Sequence, residues 1–491
     1  MAISGSQAAA RINAMCAIVW FYRDLRLGDH PALSAASARH ERIVPVFVLD
    51  EKTDGDWPIG AASRWWLHHS LQGLDTSLRQ RGSRLIVRRG NPREVLKAVA
   101  RQAGAETVYW CRRYEPDIRK RDEKIRNALE RDGFDVHVTG GSLLFEPDTV
   151  SNRSGEPYRV FTPFWKALLV QSGMIAEPEP APDDLPEVDS AVSGEEIESL
   201  GLLPAIPWDG GLKENWTPGE AGAQERIEAF LGGGAQAYAQ RRDRADLPGS
   251  SRISPHLAWG EISPRQIWWL VKQARAGAGG ESYLREVGWR EFSYHLLWHF
   301  PETVVRPLDP RFQDFEWRDD KAALDAWQRG LTGIPMVDAG MRELWHTGWM
   351  HNRLRMVVAS FLTKNLLIPW QEGSRWFWDT LVDADLANNT QGWQWTAGCG
   401  ADAAPYFRIF NPVRQAEKAD PEGDYVRRWI PELGRLPDKY LQEPWKAPAK
   451  TLEEAGVKLG QDYPEPIVDL LATRRRALER FDRIKKPRAK P

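Results

Sequence analysis

Apolar and β-branched residues form five short runs in the first part of the chain, and a stretch of helical length separates each run from the next. This alternation is typical of βαβ units, in which helices bury both faces of a parallel sheet. We therefore predict an N-terminal α/β domain over residues 15–150, built on a doubly wound and mainly parallel sheet. The predicted strands are 17–21, 43–49, 84–88, 107–110 and 135–138.

The pattern changes after this domain. Residues 172–220 are acidic and rich in proline, with weak periodicity, so we predict an interdomain linker over 151–220. From 221 to 482 the strand signals fade and helical periods dominate, ending at proline and glycine. This predicts a second, larger and all-α domain. Residues 483–491 form a basic tail, which we expect to be a fraying helix end in solvent.

Composition narrows the class of protein. Lysine and arginine total 66 against 68 for aspartate and glutamate, so any nucleic-acid surface must be a local patch. The three cysteines form no CxxC pair, and neither a signal-peptide core nor an apolar run of bilayer length occurs. We expect a soluble, cytoplasmic protein. The chain has 24 tryptophans, clustered after residue 250, which either fill the core or serve a further purpose.

A serine-rich turn, GSSRISP at residues 249–255, follows Tyr238 and an Arg-Arg-Asp run. Small hydroxyl residues, backbone amides and arginine together suit phosphate oxygens. The commoner explanation of such a turn is the cap of a helix, here one that begins near Pro255. No GxGxxG or GxxxxGKS/T motif follows a strand, so the usual dinucleotide and triphosphate fingerprints are missing.

Tyr283, Glu286 and Arg290 recur at i, i+3 and i+7, with Trp289 beside them. This spacing puts a polar and aromatic stripe on one face of a helix, as at a ligand site. The alternative is a surface ion pair between Glu286 and Arg290.

Asn352, Arg355 and Met356 share a second helical face, whose amide, guanidinium and thioether suit a flat heteroaromatic ligand. Asp383 and Asp385 are separated by one residue. Because no further carboxylate or histidine lies at ligand spacing, we predict no metal site. The two carboxylates are better suited to accept from ribose hydroxyls or a ring N–H, or to anchor an arginine.

Three long motifs resemble the photolyase/cryptochrome family. They are WFYRDLRLGDHPAL at residues 20–33, FTPFWKALL at 161–169 and PYFRIFNPVRQAEK at 405–418. The resemblance covers nearly the whole chain. It implies an α/β antenna-binding domain, an all-α domain that holds FAD, and UV-damaged DNA as the partner.

The resemblance also implies a set of FAD contacts, within which Asp383 would pair with Arg355. Tyr283 stands where many members have tryptophan. The residues that match the family's cofactor positions are Tyr238, Ser250, Ser251, Arg252, Ile253, Ser254, Tyr283, Glu286, Arg290, Trp349, Asn352, Arg355, Asp383, Asp385 and Asn389.

Asn389 matches the position that faces flavin N5. A neutral amide there can hold N5 without being a ready proton donor, unlike the aspartate of plant cryptochromes, and so favours the reduced flavin. Trp393, Trp370 and Trp317 match the family's electron chain between flavin and surface. Core filling is the alternative use of these tryptophans.

The members that the chain most resembles are lyases that split cyclobutane pyrimidine dimers in light. (6-4) photolyases place histidine near Met356. The alternatives are a (6-4) photolyase and a cryptochrome-type photoreceptor without repair activity. The residues expected to bind the extruded dimer and its flanking phosphates are Glu286, Trp289, Asn352, Arg353, Met356, Trp395 and Arg408.

A second, antenna chromophore is also implied, and its identity stays open between a folate, a deazaflavin and FMN. Folate-binding members carry an Asn-Glu pair where Asp117 and Ile118 stand in this chain. We expect a monomer with no obligate protein partner and no membrane association.

Overall fold

The computed structural model describes residues 16–51, 55–402 and 407–485. The first part contains the strands β1 (Cys16–Phe21), β2 (Arg42–Leu49), β3 (Ile86–Arg89), β4 (Ala105–Cys111) and β5 (Asp135–Thr139). All neighbouring strands are parallel and their order is β3-β2-β1-β4-β5. All five predicted strands are present, and the predicted parallel sheet is confirmed. Residue 15, where the domain was predicted to begin, lies outside the described residues.

Helices cover both faces of the sheet. They are α1 (Pro31–Ser37), α2 (Ala61–Arg79), α3 (Pro92–Ala103) and α4 (Pro116–Arg131). Alternate residues of β1 enter different clusters, since Val19 packs with α1 and α2 whereas Ile18 and Trp20 pack with α3 and α4. Strands buried on both faces need apolar side chains at every position, which explains their continuous apolar runs. The doubly wound prediction is confirmed.

Two helices lie in the segment predicted as a linker, α5 (Phe161–Gln171) and α6 (Gly210–Asn215). Helix α5 packs on a helix of the second domain, with the rings of Phe164 and Phe292 at 5.1 Å. The linker prediction did not anticipate this packed helix, because the acidic, proline-rich sequence beyond it dominated the interpretation. The boundaries of the domains stay predictions.

The second domain is helical throughout its described residues, which confirms the all-α prediction. Short π-helical segments at Phe230–Gly234 and Phe361–Leu366 extend two of its helices. The helices are α7 (Glu220–Ala229), α8 (Ala235–Arg241), α9 (Ser254–Ala258), α10 (Pro264–Gln273), α11 (Gly277–His299), α12 (Lys321–Gln328), α13 (Pro335–Thr347), α14 (Asn352–Ser360), α15 (Trp370–Thr380), α16 (Leu386–Ala397), α17 (Pro412–Ala419), α18 (Asp424–Trp429), α19 (Asp438–Leu441), α20 (Ala449–Ala455) and α21 (Leu470–Lys485). Helix α21 includes the first residues of the predicted tail, and 486–491 lie outside the described residues.

A buried arginine joins the two domains. Arg26, 1% exposed, donates to the carbonyl oxygens of Asp29 at 2.7 Å, Gly141 at 3.0 Å and Gly260 at 2.9 Å. The carboxylate of Asp29 in turn pairs with Arg265 at 2.6 Å. Because a buried guanidinium must have its donors satisfied, these contacts fix the domains relative to each other. Among the described residues, no helix has the length and apolar character needed to cross a membrane.

Glu291 lies in the same interface between the domains. It is 3% exposed, and its carboxylate accepts from the backbone N–H of Leu144 at 2.8 Å. The Arg290 guanidinium is 3.4 Å away. Burial is the largest effect on this group and raises the pKa of Glu291 from 4.5 to about 7, because the charged form is poorly solvated.

Glu291→Gln should therefore flatten the pH dependence of stability. The native protein keeps the Glu291 proton up to about pH 7, whereas the unfolded chain releases it near 4.5, so raising the pH through this window favours unfolding. Glutamine keeps an acceptor for the Leu144 amide and has no proton to lose. Denaturant titrations should show that the free energy of unfolding of the wild type falls by about 2 kcal/mol more between pH 5 and pH 8 than that of Glu291→Gln. The exposed substitution Glu372→Gln is the control, and equal losses in both variants would contradict this account.

Candidate active site

The serine-rich turn lies between α8 and α9. The Tyr283 hydroxyl donates to Ser251 Oγ at 2.9 Å, and Ile253 N donates to the same oxygen at 3.3 Å. Tyr238 packs edge-on against Tyr283, with ring centroids at 5.2 Å, and Ser250 is half-buried next to them. The structure thus brings the turn and the start of the α11 stripe together.

Arg252 has an unusual backbone and an unusual environment. Its φ is +53°, in the left-handed region that non-glycine residues rarely occupy outside functional sites. Its guanidinium lies over the rings of Trp216 and Trp349, at 4.6 and 4.8 Å from their centroids. It forms no ion pair with a described carboxylate, and its buried Nε has no partner among the described residues. Burial, followed by repulsion from Arg226, lowers the pKa of Arg252, and the Glu343 carboxylate offsets this only in part.

Asp383 is the centre of a second cluster. Its Oδ2 accepts from Arg355 at 2.7 Å, which confirms the expected pair, and from Ser254 Oγ at 2.6 Å. Trp349 Nε1 donates to the same Ser254 oxygen at 3.1 Å. The other carboxylate oxygen, Oδ1, is buried and has no partner among the described residues. An unpaired buried acceptor is costly, so this oxygen indicates a ligand with a hydrogen-bond donor.

Asp385 and Asn389 are fixed by their own helix and its neighbours. Asp385 caps α16 by accepting from Asn388 N at 2.8 Å, and it also accepts from the Tyr294 hydroxyl. The side-chain nitrogen of Asn389 donates to the carbonyl oxygen and to the hydroxyl of Ser374, both at 3.0 Å. Because both bonds use the amide nitrogen, the Asn389 carbonyl oxygen is the group left to accept from a ligand.

The three tryptophans of the expected electron chain differ in exposure. Trp393 and Trp370 are 2% and 1% exposed, and Trp317 is half-buried. The Trp393 ring packs directly on Gly373, one turn after Trp370, and a Cβ at that glycine would lie 2.0 Å from Trp393 Cη2. Trp317 contacts Phe315, with ring centroids at 4.5 Å.

Side chains expected at the mouth of the pocket are paired in ways that the sequence did not indicate. Glu286 forms an ion pair with Arg242, so the alternative pair with Arg290 is not formed. Arg290 instead donates to the Ser142 carbonyl of the first domain at 2.9 Å. Arg353 pairs with Asp243 at 2.6 Å.

Arg242 and Asp243 were not assigned a role from the sequence. The only indication in the sequence was that they belong to the Arg-Arg-Asp run shortly after Tyr238. Their pairing with α11 and α14 could not be read from spacing, because the partners are far apart in the chain.

The remaining predicted substrate residues differ in their exposure and contacts. Trp289 is half-buried and stacks on Phe161, with centroids at 3.7 Å and planes 9° apart. Arg408 lies over the Trp395 ring at 5.6 Å. Met356 is half-buried and Asn352 is exposed. Residues 405 and 406 of the PYFRIFNPVRQAEK motif lie outside the described residues.

A cleft of about 370 Å³ lies between the domains, at the carboxyl ends of β1 and β4. This is the switch point of the sheet, where α/β folds commonly bind ligands. Tyr22, Arg23, Asp117 and Ile118 line it, together with the edge-on pair Trp57 and Trp378, whose rings are 5.4 Å apart.

Comparison with known proteins matches both halves of the chain. A family model described as the DNA photolyase domain matches residues 17–184, and one described as the FAD binding domain of DNA photolyase matches 283–483. A deoxyribodipyrimidine photo-lyase of Agrobacterium fabrum is 46% identical over 473 residues, which cover 96% of this chain and 98% of that relative. The chain belongs to the DNA photolyase family.

Two further comparisons involve a cryptochrome and a solved photolyase structure. Cryptochrome-1 of Arabidopsis thaliana is 38% identical over 473 residues, covering 93% of this chain and 68% of that protein. The crystal structure of a bacterial class III photolyase from Agrobacterium tumefaciens superposes with a TM-score of 0.93 at 45% identity, covering 98% of this chain and all of that one. The two-domain fold and the FAD-binding character of the helical domain are confirmed.

The described residues fit FAD on physical grounds. Arg252 is a half-buried cation that forms no ion pair with a described carboxylate, which suits a diphosphate, and Asp383 Oδ1 is a buried acceptor without a donor among the described residues.

Asp383→Asn should weaken FAD retention by about tenfold or more, because it removes the counter-charge of Arg355 and leaves one acceptor oxygen to serve Arg355, Ser254 and the ligand. The ratio of flavin to protein absorbance after extensive dialysis measures this. Asp482→Asn, an exposed charge loss on α21, serves as the control. Unchanged flavin content in Asp383→Asn would show that this carboxylate does not contribute to FAD binding.

Proposed function

We propose that this protein is a light-dependent DNA repair enzyme that splits cyclobutane pyrimidine dimers. The observation that carries the proposal is the orientation of Asn389, whose nitrogen is held by Ser374 so that a neutral carbonyl oxygen is left for the ligand. An acceptor without an acidic proton suits a flavin that stays reduced, as repair requires.

We propose that the cofactor is held from two sides. The Ser250–Ser254 turn and Arg252 would bind the phosphates, while Asp383, supported by Arg355, would accept from the flavin side. Tyr238, Tyr283 and Trp349 would form the walls, and Asp385 would act through α16, which it caps. When bound and fully reduced, FAD supplies the light-excited electron that opens the cyclobutane ring and takes that electron back, so the reaction has no net redox change.

Trp393, Trp370 and Trp317 would carry electrons between the flavin and the surface. Trp393 and Trp370 are buried, and Trp317 at the end of the series is half-buried, as an electron path to solvent requires.

Substrate binding is assigned to the mouth of the pocket. Trp289, already stacked on Phe161, and Trp395 would form flat walls around a dimer turned out of the helix, with Met356 and Asn352 completing the pocket. Lesions weaken base pairing, so extruding them costs less than extruding normal bases. Arg353 and Arg408 would bind the flanking phosphates, and Glu286 would accept from the thymine edge.

The interdomain cleft is the place we propose for an antenna chromophore. Its aromatic pair, Trp57 and Trp378, suits a flat ring, and Arg23 suits an anionic group. Asp117 and Ile118 both line it, so the Asn-Glu pair of folate-binding members is absent at the site itself. We also propose that the protein acts as a cytoplasmic monomer without an obligate protein partner.

The decisive experiment is a repair assay with the purified, photoreduced protein. Blue light should restore thymines in an oligonucleotide that contains one cyclobutane dimer, and should leave a (6-4) oligonucleotide unchanged. Repair in a dark control, or loss of the (6-4) lesion, would contradict the proposal. A protein that photoreduces its flavin and repairs neither lesion would be a photoreceptor. In the same assay, an excitation band that flavin alone lacks supports the antenna, and its absence argues against a bound antenna.

Trp317→Phe should slow photoreduction of the flavin by at least about tenfold, because phenylalanine is far harder to oxidise than tryptophan. Repair should persist when the flavin is reduced chemically instead. Trp345→Phe is the matched control, since Trp345 is 65% exposed and stacks on Trp376 away from the series. Equal photoreduction rates in both variants would show that Trp317 is only a packing residue.

A further inference from the structure

Four charged side chains among the cofactor and substrate residues form a connected chain of ion pairs. We call Arg242, Asp243, Glu286 and Arg353 the rim quartet. Arg353 Nη2 lies 2.6 Å from Asp243 Oδ2, Arg242 pairs with Glu286, and Arg242 Nε is 4.0 Å from Asp243 Oδ1. Both arginines therefore contact Asp243.

Three separate elements supply the quartet. Arg242 and Asp243 directly follow α8, Glu286 is on α11, and Arg353 is in the first turn of α14. The segment after α8 and the first turn of α14 are joined by the ion pair between Asp243 and Arg353. The arrangement is thus fixed by the fold.

Asp243 differs from the other members in exposure and in its contacts. Its side chain is 51% exposed, against 26% for Arg242, 27% for Glu286 and 23% for Arg353. It caps no helix and forms no hydrogen bond or ion pair with any other described residue. Its ion pairs within the described chain are those with the two arginines.

We propose that Asp243 is a built-in competitor of the DNA backbone. It holds Arg353 and Arg242 in the free protein, must be displaced when a phosphate arrives, and recaptures the arginines when the repaired strand leaves. The inference rests on the proposed function and adds to it a residue that limits DNA affinity and speeds release.

The physical basis is an exchange of ion pairs. A partly exposed carboxylate holds an arginine weakly, so a phosphate can replace it at modest cost, and that cost lowers the affinity for every DNA. The exchange has a second effect, because a phosphate that takes Arg242 also frees the carboxylate of Glu286. Backbone binding and base recognition are thereby coupled through one arginine.

Asp243→Asn tests the proposal by removing the competing charge while keeping the shape. We expect dimer-containing and intact oligonucleotides to bind about fivefold more tightly, and repaired DNA to dissociate correspondingly more slowly. Plots of log affinity against log salt should be steeper by up to about one unit. Asp325→Asn is the control, because that carboxylate is 64% exposed and pairs only across one turn of α12 with Arg329.

An Arg353→Gln background separates a local competitor from a general change in charge. In that background, Asp243→Asn should increase the affinity for DNA clearly less than it does in the wild type. The proposal is overturned if Asp243→Asn matches Asp325→Asn, or if its effect is the same with and without Arg353. Failure of the wild type to prefer dimer-containing DNA would instead count against the proposed function, so the two failures are distinguishable.

Discussion

The arrangement of the molecule depends on the buried guanidinium of Arg26. A cation with no room for water must have every donor satisfied, and here its partners are carbonyl oxygens from three different segments. Two of these segments belong to the sheet domain and the third, at Gly260, belongs to the helical domain. The contacts of Arg290 with Ser142 and of Glu291 with Leu144 lie in the same interface. The carboxyl ends of the strands are consequently held against the helices, and the interdomain cleft results from this contact.

The helical domain brings together residues that are widely separated in sequence. Ser254, Trp349, Arg355 and Asp383 come from four segments and meet in one hydrogen-bonded cluster. Asp383 and Trp349 are buried within it, and burial strengthens polar contacts. The abundance of tryptophan thus serves packing and polar organisation at once. The unpaired groups at Arg252 and Asp383 are where the cluster is incomplete without a ligand.

The sequence predicted most of the fold because the signals were local. Each strand is a continuous apolar run, and such runs follow directly from burial on both faces of a sheet. The partners of Glu286 and Arg290 could not be predicted, because spacing on α11 cannot reveal that Arg242 and Ser142 approach from elsewhere. The pairing of Asp383 with Arg355 came from the family resemblance and not from periodicity. Helix α5 was missed because the acidic, proline-rich sequence that follows it led to the prediction of a linker.

The contact between Trp393 and Gly373 restricts how this protein can change over time. Any side chain at position 373 would place an atom 2.0 Å from the indole, so no single substitution there is neutral. A larger residue becomes acceptable only after the tryptophan has been lost, and a lineage that keeps the indole must keep the glycine. The two positions are therefore inherited as a unit, and mutational libraries should vary them jointly or leave both unchanged.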